Sequence, residues 1–215
     1  MALRGKDKRS ERSKIDATPP WERRKPPTAR TTEGPFDIAD EPQDDVVRID
    51  LGALRVPASE LEMRVDLDEN QQVSAITLAN ETGQLQLGAF AAPRSEGIWN
   101  EVRAEIAESV RAQGGATADD PDGEFGTALA GHLGTETGNL PVRFIGVDGP
   151  RWMLRAMFLG APAVEEGARA PFLDVLRGIV VVRGNDPLPV RDAIPLRLPP
   201  EVSEQVAAAQ AEQAE

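Results

Sequence analysis

Val142-Arg143-Phe144-Ile145-Gly146-Val147-Asp148-Gly149-Pro150-Arg151-Trp152-Met153-Leu154-Arg155-Ala156-Met157-Phe158-Leu159 decides the reading of this chain. Two apolar runs of strand length flank Asp148-Gly149, a dipeptide that tight hairpin turns select, so the stretch predicts an antiparallel hairpin. Pro150 has no N–H to give to a ladder and leaves the register open. Alternation along the second run puts Trp152, Leu154, Ala156 and Phe158 on one face. Arg151, Met153, Arg155 and Met157 share the other.

Upstream, Leu61, Met63, Val65 and Leu67 alternate with Glu62, Arg64 and Asp66, a period-2 pattern with one face on a core and one in water. Asp68-Glu69-Asn70 turns the chain, Val73 to Ala79 resumes it, and Glu81-Thr82-Gly83 turns it again before Leu85, Leu87 and Ala89. Such short connections predict an antiparallel meander. Leu51 to Val56 adds a strand stopped by Pro57. Ser95 is placed to cap a helix whose apolar positions Ile98, Trp99, Val102, Ile106 and Val110 form one stripe, ended by Gly114-Gly115. Asp119 to Glu124 reads as an acidic loop leading to a strand over Phe125, Thr127 and Leu129. Downstream of the hairpin, Pro171 opens a short helix through Phe172, Val175 and Leu176, and Ile179 to Val182 reads as a last strand. The fold class is therefore α+β. We expect a predominantly antiparallel sheet of four to six strands, with one long and one short helix packed on one face, similar to a PsbP-type α/β/α sandwich.

The 215 residues suit one domain with tails. Residues 1–33 alternate charges with Ser, Thr and Pro and are expected to be a disordered basic arm; 34–48 form an acidic connector in which Phe36 and Ile38 can dock. Residues 49–184 are the folded domain. Residues 185–200 are proline-rich but carry Leu188, Val190, Ile194, Leu196 and Leu198, so they are expected to lie on that domain, and 201–215 form a disordered Ala/Gln/Glu tail. Residues 1–30 hold ten Lys and Arg against four acids, a surplus of six. The total of −12 leaves −18 for residues 31–215. A nucleic-acid contact is thus open only to residues 1–30, because the acidic remainder repels phosphate.

With no cysteine, disulfides, thiolate metal sites and thiol nucleophiles are excluded. No apolar run reaches membrane-span length and no signal-peptide pattern is present, so no membrane partner and a cytoplasmic location are expected. No phosphate loop, dinucleotide fingerprint, nucleophile elbow or metal motif occurs, and no cofactor, metal or catalytic residue is assigned. His132, the single histidine, reads as a surface-loop residue. Trp99 and Trp152 read first as core. Arg151 and Arg155 are either an anion-binding pair in a groove or locked to acids of neighbouring elements. Asp148 reads as turn chemistry. Candidate binding residues are therefore Arg151, Arg155, Trp152 and Asp148.

Asp50-Leu-Gly-Ala-Leu-Arg-Val-Pro57, Ala92-Pro-Arg94 before Ile98-Trp99, Gly123-Glu-Phe-Gly126, Arg143 to Arg155, and Val180-Val-Val-Arg-Gly184 with Leu196-Arg-Leu-Pro199 together resemble the actinobacterial family called domain of unknown function 3710. The resemblance spans roughly residues 34–199, is most specific over Gly146 to Arg155, and implies no activity or catalytic residue. The expectation is a non-enzymatic binding or assembly module with a protein partner. The alternatives are a small-molecule or nucleotide-handling protein using the arginines, and a nucleic-acid accessory acting through the basic arm.

Overall fold

The computed structural model describes residues 33–67, 73–136 and 138–198. The expected basic arm, apart from its last residue, the Asp68-Glu69-Asn70 turn and the expected tail lie outside the described residues.

The quoted hairpin is the centre of a seven-stranded antiparallel sheet. Strands β9 (Gly138–Gly149) and β10 (Trp152–Gly160) pair with Trp152 opposite Gly149. The turn is therefore Pro150-Arg151 and not Asp148-Gly149. Proline followed by a residue at positive φ, here Arg151 at 67°, is the pattern of a type II turn, so the proline sets the register instead of blurring it. Asp148 pairs with Met153 inside the ladder.

β10 also pairs with β6 (Gly83–Ala91), which continues through β5 (Val73–Asn80) to β4 (Glu62–Leu67), the expected meander. On the other side of β9 stand β8 (Ala128–Thr135) and β7 (Ala116–Asp120). Asp119 and Asp120 thus belong to an edge strand rather than a loop, and β8 begins only at Ala128. His132 lies within β8, opposite Ala116 and Pro141, and not in a surface loop. A polar edge strand buries little, so β7 leaves almost no apolar period in the sequence.

Leu51 to Val56 is not one strand. Asp50 Oδ1 accepts from Gly52 N at 2.9 Å, the chain turns, and β2 (Arg48–Asp50) pairs antiparallel with β3 (Leu54–Pro57). These join β11 (Val180–Val181) and β1 (Phe36–Asp37) in a second, four-stranded sheet of order β1-β11-β3-β2, with β1 and β11 parallel. Phe36 is half-buried there, whereas Ile38 is exposed.

The helices take opposite faces of the large sheet, not one. Trp152, Leu154, Ala156 and Phe158 bury into a cluster with Leu54, Val56, Phe172, Val175 and Leu176, so the small sheet and α3 (Glu166–Gly178) cover that face. Phe158 and Phe172 meet edge to face at 6.4 Å. Met153 buries on the other face with Ile98, Trp99 and Val110 of the region of α1 (Trp99–Ala112). The period-2 reading of β10 and the stripe of α1 both hold. Pro171 stands inside α3 rather than opening it, because the helix already begins at Glu166, just after the short α2 (Ala161–Val164). Ile194 and Leu196 are buried, and the segment around them bonds to Ala89, Ala91 and Leu51. Among the described residues no helix is long and apolar enough to cross a membrane.

Candidate functional site

The Gly146-to-Trp152 motif ends at a cleft of about 590 Å³, closed by the β9–β10 turn, the start of α1, the loop Glu124–Thr127 and the chain entering at Glu33 to Asp37. Three glycines make this geometry. A Cβ on Gly146 would overlap the Trp99 ring, one on Gly149 the Trp152 ring, and one on Gly97 the carboxylate of Asp148. The two indoles therefore lie flat on bare strand backbone, and Asp148 can reach the helix.

Asp148, not Ser95, caps α1, which starts at Trp99, four residues after Ser95. Its Oδ1 accepts from Ile98 N at 2.8 Å and from Trp99 N at 3.3 Å, while Oδ2 accepts from Trp99 N at 3.2 Å. A carboxylate at a helix N-terminus satisfies donors that the helix itself leaves open. Burial pushes its pKa above the ordinary value and outweighs the two backbone N–H bonds that favour the charge.

The tryptophans are fixed in the same way. Trp152 Nε1 donates to Asp37 Oδ2 at 2.7 Å, and Trp99 Nε1 donates to the Thr127 carbonyl at 2.8 Å. Glu124 accepts from Arg169 Nε at 2.7 Å and lies 3.5 Å from Arg143, which also binds Asp120 at 2.7 Å. Burial raises the Glu124 carboxyl, but a backbone hydrogen bond and the two arginines bring the net shift below the ordinary value. The Arg143 bond is the main cause that holds Asp120 low. Glu33, Asp37, Asp40, Glu124 and Asp148 line the cleft with one cation, Arg177. Among the described residues no group of three or more His, Asp or Glu is placed to hold a metal ion. The cleft therefore offers dispersed negative charge in a wall that also holds Phe36, Phe125 and the two indoles.

Of the residues singled out in the sequence, Asp148 and Trp152 line this cleft. Arg155 lines a separate pocket of about 170 Å³ beneath α1, and Arg151 lines neither. Arg151 sits in the turn, its carbonyl accepting from Ala92 N and Arg183 Nε. Among the described residues neither arginine is bridged to a carboxylate, and the two do not line one groove. Sequence reasoning missed Asp37 and Glu124; Trp99, read as core, is buried in the core and also borders the cleft. Asp37 lay between the two residues flagged for docking, Phe36 and Ile38; Glu124 lay in a quoted motif, Gly123 to Gly126.

A comparison with curated proteins finds no match. A crystal structure of a protein from Bacteroides thetaiotaomicron VPI-5482 is similar at 11% identity with a TM-score of 0.41, over 73% of this chain and 54% of that one. The chain thus spans about half the length of that solved protein. The model of one family, protein of unknown function (DUF3710), matches residues 34–205. That match takes in every described strand and α-helix and every residue of the cleft wall except Glu33, and the chain belongs to this family.

Proposed function

We propose that this chain is a binding or assembly module rather than a catalyst, and that the cleft receives a Lys or Arg side chain of a protein partner. The observation that carries the reading is that the cleft walls are held by hydrogen bonds within the fold. Asp148, Trp99 and Trp152 each spend their polar atoms on bonds within the fold, so little ordering is left for binding to pay for. The carboxylates around it attract a cation. In this reading residues 49–184 are the folded domain, 34–48 and 185–200 lie on it, and 1–33 and 201–215 are arms available to partners.

Calorimetric titration of the full chain with an oligo-arginine peptide, with oligo-glutamate as control, tests it. Because the whole chain is acidic, two variants of equal charge change separate site from bulk attraction. Asp37→Asn, which keeps one acceptor oxygen for Trp152 and gives up the exposed bond from Ala39 N, should weaken binding about fivefold, the equivalent of roughly 1 kcal/mol. Glu81→Gln, on the exposed β5–β6 turn, should leave it unchanged. Equal weakening by both, or no binding, contradicts the reading.

A further inference from the structure

The pocket beneath α1 holds a charge that no carboxylate of the described residues pairs. Arg155 projects from β10 on the face it shares with Met153, opposite Gly88 of β6. Because Gly88 has no side chain, the Phe90 ring folds across it, within 3.2 Å of where a Cβ would stand. The Arg155 guanidinium carbon lies 5.0 Å from the centre of that ring. Such a stack orients the planar fork and leaves its N–H groups open to water or to a ligand.

The neighbouring charges are already committed. Arg191, on the rim, donates to Glu105 and Glu101 at 2.6 Å each, so Glu105 faces the pocket while serving another cation. Among the described residues Arg155 has no ion pair or hydrogen bond. Burial lowers its pKa with no carboxylate to oppose the shift, the reverse of Arg48 and Arg55, whose partner acids raise theirs. The remaining walls are Ile98, Val102, Met153 and Phe90. At roughly 30 Å³ per water-sized group, about 170 Å³ holds on the order of six heavy atoms.

We propose that this pocket is a binding site for a short organic monocarboxylate, its oxygens on the Arg155 fork and its carbon chain against Ile98, Val102 and Met153. Guanidinium and carboxylate match as parallel donors and acceptors, and the apolar walls favour a short alkyl tail over a bare inorganic anion. The site is independent of the cleft, so either reading stands or falls without the other.

The probes are butyrate, its neutral isostere butyramide, and inorganic phosphate, each added to the full chain at constant ionic strength. At about 100 times its Kd, butyrate should raise the melting temperature by on the order of 5 °C, and butyramide should not. Arg155→Gln should abolish the rise. If that variant fails to fold, wild type labelled at its methionine methyl groups decides: butyrate should move the Met153 signal and leave Met63, on β4, in place. An unmoved Met153 at saturating butyrate, a response kept in folded Arg155→Gln, or an equal response to butyramide or phosphate overturns the proposal.

Discussion

Gly146 and Gly149 show what a single missing methyl does here. A Cβ at either position would enter a tryptophan ring that is itself almost wholly buried. Gly146→Ala should therefore destabilise the chain by about 2 kcal/mol in a denaturant melt, the usual cost of overpacking, and a loss below about half a kcal/mol would show that Trp99 has room to move. Asp148 gives a second test. Asp148→Ala leaves the N–H groups of Ile98 and Trp99 without their acceptor and should cost about 2 kcal/mol. Its pH signature has a definite sign. The folded pKa is raised above 3.8, so the folded state holds the proton more tightly. That stabilisation is complete below about 3.8 and is lost as pH rises through the raised value. Asp44, Glu62, Asp120 and Glu124 are shifted the opposite way, so the quantity to measure is wild type minus Asp148→Asn. It should fall across that window, and a flat difference would show that Asp148 is not held against burial. The sequence marked Asp148 and Trp152 because they sit in a compact motif. It could not assign Asp148 to the helix, since its acceptors meet donors 50 residues away.

Among the elements, β7 shows how little of an edge strand a sequence reveals. Its residues alternate no apolar face, and its place is marked instead by Arg143 of β9 reaching Asp120, with Glu124 between Arg143 and Arg169. Both arginines are more than nine-tenths buried. Glu124→Ala should then cost about 3 kcal/mol, because it strands buried charge. Arg64→Ala, which removes the exposed Arg64–Glu62 pair, should leave the melt unchanged; similar losses in both variants would remove the network's special standing. β4 and β6 were legible from their period-2 alternation, and β5, β9 and β10, buried on both faces, from apolar runs of strand length bounded by turn signals. The start of α1 and the position of Pro171 in α3 were not, since the cap is supplied by another strand and α3 gains its first turn from weakly patterned small residues. The placement of the two helices on opposite faces was also illegible, because an apolar stripe states that a helix is buried and not against which side of a sheet. Ile194 and Leu196 carry the proposal that residues 185–200 lie on the domain. Changing both to Ala should lower stability by about 4 kcal/mol if they are anchored, and by almost nothing if the segment is loosely held.

At the scale of the whole molecule, charge and shape point to the same end of the fold. The chain carries −12, and the cleft beside the β9–β10 turn collects five carboxylates around two indoles. Bulk charge alone would draw a cation to many places on such a surface, whereas the account places it at one. The three tryptophans allow that to be seen directly, since Trp99 and Trp152 line the cleft and Trp21 belongs to the basic N-terminal sequence. The decisive measurement is the set of indole N–H resonances of the full ¹⁵N-labelled chain, assigned by single Trp→Phe variants and followed during titration with an oligo-arginine peptide. Saturable shifts are expected for the Trp99 and Trp152 signals, whose donors are held by the Thr127 carbonyl and by Asp37, with one shared Kd. Binding that saturates by calorimetry while both of those signals stay still would contradict it.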